Sequence, residues 1–321
     1  MARYLRKRIL TGILIILVSL VINFMLIHLA PGNPISLLAG KDNPSQEMID
    51  ALTEKYGLND PIHIQFISYV KTLLKGDLGY SIMSSEPVSK LIFEKVGPTL
   101  LLALTSILLA VVIGTATGIF AARKRGSLFD VTMNGLSYVF ASTPGFWLGL
   151  MFILIFASKL KIFPTAGMVD LRAQHEGMAK VFDILWHLAL RLITVTLIQI
   201  PYYFRIARAS VIQTMSEDFI TTFRAAGMKE NKIFSKYIFK NAILPTITVF
   251  GINLAYVISG VAIIEIVFAW PGMGRLMMTA ISKRDYPLLM GIYLILSVSI
   301  AVCMIVVDLI YAVIDPRIRY D

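Results

Sequence analysis

Runs of apolar residues of membrane-crossing length are the feature that most restricts how this chain can fold. They occupy residues 9–30, 99–122, about 131–160, about 187–207, 246–270 and about 288–314. A helix rises about 1.5 Å per residue, so roughly twenty apolar residues cross the hydrocarbon core of a bilayer. No water is available there, so each run must satisfy its own backbone as a helix. The chain is 57% hydrophobic with a mean hydropathy of +0.74, values outside the range of soluble domains. The expectation is an all-α polytopic membrane protein with six transmembrane helices.

The first run is longer than the apolar core of a signal peptide and lacks a small-x-small cleavage site before Pro31, so it reads as a retained helix. Residues 31–98 are polar and punctuated. Asn43-Pro44 starts a helix with Met48, Leu52 and Tyr56 on one face and Gly57 as its stop. Asp60-Pro61 starts a second, apolar at Ile62, Phe66, Tyr69 and Leu73 and closed by Gly76; Glu86-Pro87 starts a third, with Val88, Leu91 and Ile92. The chain therefore divides into an N-terminal tail and first span (1–30), a small extracytoplasmic helical subdomain (31–98) and a core with the remaining spans (99–321). Within that core, Ala110, Gly114, Gly118 and Ala122 recur every four residues, the spacing that lets two helices approach closely. Gly251, Ala255 and Ser259 make a second such stripe. Ser142-Thr143-Pro144-Gly145 interrupts the third run, where proline frees a carbonyl inside the membrane.

Between the fourth and fifth runs lies a polar, basic hairpin, residues 215–245. Glu217 and Asp218 suit the start of a helix, and Ala225-Ala226-Gly227 closes it, with Gly227 expected at positive φ. A second helix over 229–241 places Ile233, Tyr237 and Ile238 on one side and Lys232, Lys236 and Lys240 on another, and Leu244-Pro245 ends it. Basic residues outnumber acids at the N-terminus, at Arg123-Lys124-Arg125 and across this hairpin, while the two signs nearly balance in the other loops. That bias puts both termini and the hairpin in the cytoplasm and residues 31–98 outside.

The hairpin carries a resemblance. Arg224-Ala225-Ala226-Gly227 followed by Ile243-Leu244-Pro245 resembles the coupling loop of ATP-binding-cassette importer permeases. Pro31-Gly32-Asn33-Pro34, Gly76-Asp77-Leu78-Gly79, Phe146-Trp147, Phe163-Pro164-Thr165-Ala166-Gly167, Glu265 with Trp270-Pro271-Gly272-Met273-Gly274, and Asp315-Pro316-Arg317 resemble its dipeptide, oligopeptide and nickel branch, in the same order along the chain. The resemblance implies one permease subunit of a prokaryotic inner-membrane importer, paired with a second homologous permease as a heterodimer. It implies two cytoplasmic ATPases, which bind ATP and Mg, and an external solute-binding protein. Di- or oligopeptides are the implied cargo, with nickel or a metal chelate the alternative. It assigns ATPase coupling to Glu217, Asp218, Phe219, Thr222, Phe223, Arg224, Ala225, Ala226 and Gly227. Apart from the resemblance, the outer gate or path is expected at Arg191, Glu265, Ser142, Thr143, Asn253, Tyr256 and Ser259. Three places depart from the pattern: Thr222-Phe223-Arg224-Ala225-Ala226-Gly227 where the family commonly has Ala-Arg-Ala-Lys-Gly, Tyr237-Ile238 where it has His-Ala, and Leu190-Arg191 where it has Leu-Pro.

Other chemistry is not written in the chain. Gly40-Lys41 lacks the rest of a phosphate-cradling loop, Gly272-Met273-Gly274 is too short for a dinucleotide turn, and the four histidines do not recur at metal-ligand spacing. Cys303 is the single cysteine and lies in an apolar run. The net charge of +10 is spread over loops beside the bilayer, a pattern that fits lipid and not nucleic acid. No cofactor site and no enzyme activity are expected; an ATP-independent channel or an intramembrane enzyme is the alternative of a different class. Arg191 and Glu265, each about one turn inside the outer end of its span, are expected to form an ion pair; the alternative is that Arg191 snorkels to the lipid headgroups.

Overall fold

The computed structural model describes residues 2–29, 45–47, 49, 50, 53, 60–173, 175–255 and 261–314, and among these the chain is helical almost throughout, with no strand. In chain order come α1 (Ala2–Leu29), α2 (Ile62–Leu74), α3 (Val88–Arg123), α4 (Leu128–Ser142) and α5 (Gly145–Phe152), the last continued by a π-helical stretch, Ile153–Lys159. Then follow α6 (Gly177–Met215), α7 (Asp218–Ala225) and α8 (Glu230–Ile233), a second π-helical turn over Phe234–Ile238, and α9 (Phe239–Ala242). The last four are α10 (Leu244–Ala255), α11 (Ala262–Val267), α12 (Met273–Lys283) and α13 (Tyr286–Ile314). Among the described residues, five helical stretches are long and apolar enough to cross a membrane, or six if α4 and α5 with its π-helical continuation count as one span bent by 99°. Backbone contacts group the chain into two units, Met1–Thr99 with Pro271–Asp321, and Leu100–Trp270.

In the first unit α1 packs along α13. The hydroxyls of Ser19 and Ser297 are 2.6 Å apart, and the Asn23 amide donates to the Met290 carbonyl at 3.4 Å, polar pairs of the kind that join helices in lipid. The start of α2 follows Pro61 as expected, and Gly76 (φ 80°) lies just past its end. Its ring face meets α1 through Phe24, 5.3 Å from Phe66 and 6.0 Å from Tyr69. Asp285 caps α13: its carboxylate accepts from the Leu288 amide (3.2 Å), the Ser81 hydroxyl (2.6 Å) and the Met83 amide (3.1 Å), tying the 81–83 turn to the helix start. The helix expected over 44–57 lies mostly outside the described residues.

In the second unit α3 and α6 touch backbone to backbone. A Cβ added at Gly114 would stand 2.8 Å from the Ile200 carbonyl oxygen, and one at Gly118 would stand 2.5 Å from that of Phe204. Ala110 and Ala122 of the same stripe are buried. The four-residue spacing of small residues is thus a helix contact, as read from the sequence. Of the second stripe, Gly251 is buried, while the side chains of Ala255 and Ser259 lie outside the described residues.

The structure departs from expectation at five elements. The third extracytoplasmic helix and the second span are one helix of 36 residues, α3, because Pro98 removes one hydrogen bond without ending it. Apolar residues buried on either side, Val88, Ile92, Leu102 and Ala103, continue the helical pattern through it. The interruption at Ser142–Pro144 is a near right angle and not a kink in one rod: Thr143 and Pro144 both take extended backbone. The fourth span is the middle of a 39-residue helix, α6. Residues 273–283, to which no helix was assigned from the sequence, form α12, with Met273 and Ala280 on its buried side and Arg284 (φ 56°) as its left-handed stop. The fifth apolar stretch begins at Glu230, inside the hairpin, because its second helix runs on into α10. Pro245 stands in the first turn of α10, where a missing amide costs nothing.

Candidate functional site

The hairpin is a folded element with two distinct sides. Ile220, Ile233, Ile238 and Ala242 are buried together with Ala122 of α3 and Val211 of α6, flanked by Phe223, Met228 and Tyr237. Ile233 and Ile238 are five apart, a spacing that an α-helix would turn by about 140° from a common face. The π-helical turn between them absorbs that mismatch. Gly227 has φ 71° and nothing within 4 Å of where a Cβ would be, so backbone conformation alone demands glycine there. The tip is braced by Arg224, whose Nε donates to Glu230 Oε1 at 2.7 Å. That hydrogen bond, helped by the charge of Glu230, raises the Arg224 pKa further above its ordinary value. Phe223 stacks on Tyr237 at 4.3 Å. Arg123 at the end of α3 donates to the Asn231 side chain and lies 4.9 Å over the Phe234 ring. Left outward are Glu217, Asp218, Phe219, Thr221, Thr222, Ala225 and Ala226. A hairpin seated on the ends of two long helices, with one side bare, can pass a push to both helices.

A second cluster lies in the N-terminal half of α6. Arg191 is fully buried. Its guanidinium donates to the His187 carbonyl and to the Phe268 carbonyl (3.4 Å), and lies 5.2 Å and 5.5 Å from the rings of Phe268 and Trp270. The expected ion pair with Glu265 is not formed: that residue is also fully buried, three positions before Phe268, and is not among the partners of Arg191. Carbonyl oxygens and ring faces stabilise a cation as a carboxylate does, without a second charge to desolvate. One turn before Arg191, His187 Nδ1 is 2.9 Å from both the carbonyl and a carboxylate oxygen of Asp183. Both are acceptors, so Nδ1 carries the proton.

The other expected path residues are dispersed. Ser142 and Thr143 are intermediate or exposed and turn their hydroxyls back to the carbonyls of Tyr138 and Val139 at the bend. The Asn253 amide donates to the Tyr203 hydroxyl at 2.9 Å, linking α10 to α6. Tyr256 and Ser259 lie outside the described residues. Sequence reasoning missed a two-pronged polar contact of this unit, Arg208 with Asp130: Nε and Nη2 reach the two carboxylate oxygens at 2.6 and 2.9 Å. Asp130 follows the helix-capping Ser127 by three residues, the one signal that it belonged to a helix start and not to a loop.

Two family profiles cover nearly the whole chain. "Binding-protein-dependent transport system inner membrane component" matches residues 114–320, and the N-terminal domain of the same component matches residues 1–103. The chain belongs to this family. It is therefore a transmembrane permease subunit of a binding-protein-dependent importer, not an enzyme, and a family member of this kind works with ATPase subunits and a solute-binding protein. The oligopeptide transport system permease protein AppB of Bacillus subtilis is 35% identical, with all of both chains covered. The probable D,D-dipeptide transport system permease protein DdpB of Escherichia coli is 37% identical over 98% of this chain and 96% of that one. Among solved structures, a chain of the MetNI methionine ABC transporter in an inward-facing conformation matches 72% of this chain and 99% of its own, with a TM-score of 0.55 at 18% identity. That likeness shows the fold of the permease. The all-helical architecture, the membrane spans and the importer family read from the sequence are thereby established.

Proposed function

We propose that this permease carries di- or oligopeptides inward as one half of a heterodimeric path, driven by ATP and Mg bound on partner ATPases at its cytoplasmic face. The observation that carries this reading is the hairpin: one side seated on α3 and α6, the other bare along Asp218, Phe219, Thr222 and Ala225–Gly227. Phe223 and Arg224 act within it, as the stack on Tyr237 and the brace to Glu230. Closing of the ATPase pair drags this element and tilts the two helices. The names of the full-length relatives favour peptides over nickel as cargo. The basic residues of the N-terminus and the hairpin favour cytoplasmic termini, with lipid around the spans.

One experiment reads sidedness, docking and coupling together. With Cys303→Ala as background, Thr221→Cys reacts with an impermeant thiol reagent from the cytoplasmic side only and is protected by added ATPase subunits. Gly227→Val forces a β-branched residue into left-handed backbone, at about 1–2 kcal/mol. It is expected to insert normally, weaken that protection and lower peptide uptake. Full uptake and full protection in Gly227→Val, or labelling of Thr221→Cys from outside, would refute the reading.

A further inference from the structure

Asp183, His187 and Arg191 fall every fourth residue on α6 and so share one stripe of the helix. The two ends of that stripe each hold a non-helical segment. Asp183 accepts from the Asp170 amide at 2.8 Å, and Arg191 donates to the Phe268 carbonyl. That carbonyl also accepts from the Gly167 amide at 3.2 Å, so segment 163–170 and turn 268–270 meet at the atom Arg191 holds. Phe163 stacks on Trp186 at 4.9 Å, and Phe163, Met168, Phe268 and Trp270 belong to one apolar cluster. The turn is under backbone strain, since Ala269 has φ 50°, a region that costs a residue with a Cβ. Arg191 itself is imperfectly satisfied: its Nε is buried without a hydrogen-bond partner among the described residues. A strained turn and a buried cation held by carbonyls and rings are both relieved when the cluster parts and the guanidinium is hydrated.

We propose that Arg191 is the positioning residue of a releasable clasp, joining α6 to segment 163–170 and turn 268–270, that closes the outer end of the transport path. The placement of this clasp at the outer end rests on the importer reading above. Its carbonyl and aromatic partners hold the cation in the shut state without the charge-to-charge bond that would make release slow. Lysine at this position keeps the charge but not the planar fork that reaches two carbonyls while lying against two rings.

Met168 is half-buried in the clasp, so the accessibility of Met168→Cys, in the Cys303→Ala background, reports its opening. Arg191→Met is expected to speed labelling by an impermeant maleimide about tenfold or more, the change that loss of a hydrogen bond from a charged donor makes in an opening equilibrium. Arg191→Lys falls between the two. Labelling of Thr221→Cys in the hairpin stays at its parental rate. Parental labelling of Met168→Cys in both Arg191 variants overturns the clasp, as does equal acceleration at Met168→Cys and Thr221→Cys, which marks general loosening. Where Arg191→Met fails to insert, Arg191→Lys decides. The assay needs no ATPase, binding protein or peptide. A parent chain that carries no peptide with its partners would refute the peptide reading and leave the clasp standing.

Discussion

Arg208 and Arg191 lie on the same helix, about 25 Å apart along its axis at roughly 1.5 Å per residue, and their surroundings differ in kind. Around Arg208 everything is helix. Gly118 lets α3 lie against the α6 backbone there, and Asp130 meets the guanidinium with both oxygens. Around Arg191 the neighbours are a turn and a loop, and the guanidinium is met by carbonyls and ring faces. The difference teaches what each half of α6 is suited to. A bidentate carboxylate pair fixes both position and orientation and is costly to part. Carbonyl and aromatic contacts hold a cation in place yet can be exchanged for water, one at a time.

The largest effect is expected where the fixed half is broken. Asp130→Ala strands Arg208 and also removes the acceptor for the Gly126 amide (3.0 Å) and the Asn134 side chain (2.8 Å). A loss of about 3 kcal/mol is expected in denaturant titrations of the detergent-solubilised chain. No loss would mean that the Arg208 half is held by packing alone. Gly118→Ala isolates that packing: its Cβ meets backbone oxygen, which cannot rotate away, and about 2 kcal/mol is expected by the same titration. If Gly118→Ala were silent, the close approach of α3 to α6 would be wrong. The smallest change belongs to the other half. Asp183→Asn keeps an acceptor for the Asp170 amide and weakens only the His187 contact, so roughly 1 kcal/mol or less is expected. A cost as large as that of Asp130→Ala would erase the contrast between the halves.

The sequence was informative where a single physical rule dominated. Apolar length marked the spans, and glycine and alanine every four residues marked the α3–α6 contact. The alternation of Ile233 and Ile238 with the lysines marked the two sides of the hairpin, and Gly227 marked its stop. It was silent where two rules compete. Pro98 reads as a helix breaker, but burial on both sides of it prevails. Ser142–Gly145 announces a break without stating its angle. Residues 273–283 follow Pro271-Gly272, which signals a turn and hides the helix behind it, although Met273 and Ala280 stand seven apart on one helical face. The expected Arg191–Glu265 pair failed for a different reason. Opposite charge is only one way to satisfy a guanidinium, and sequence cannot show which carbonyls a turn will offer.

The unbroken length of α6 has a mechanical consequence. At 39 residues it measures about 58 Å, close to twice the thickness of a bilayer core. If it rocks as a rod about the Asp130 anchor, a tilt of about 5° carries Arg191 sideways by about 2 Å, given the roughly 1.5 Å rise per residue between them. The Arg191–Phe268 hydrogen bond, already 3.4 Å long, does not survive a displacement of that size away from its acceptor. Beyond the fulcrum the short arm ends at Met215, next to the hairpin, where the same rotation is a movement of about 1 Å. The helix is a lever with unequal arms, and a small stroke at one end is a large one at the other.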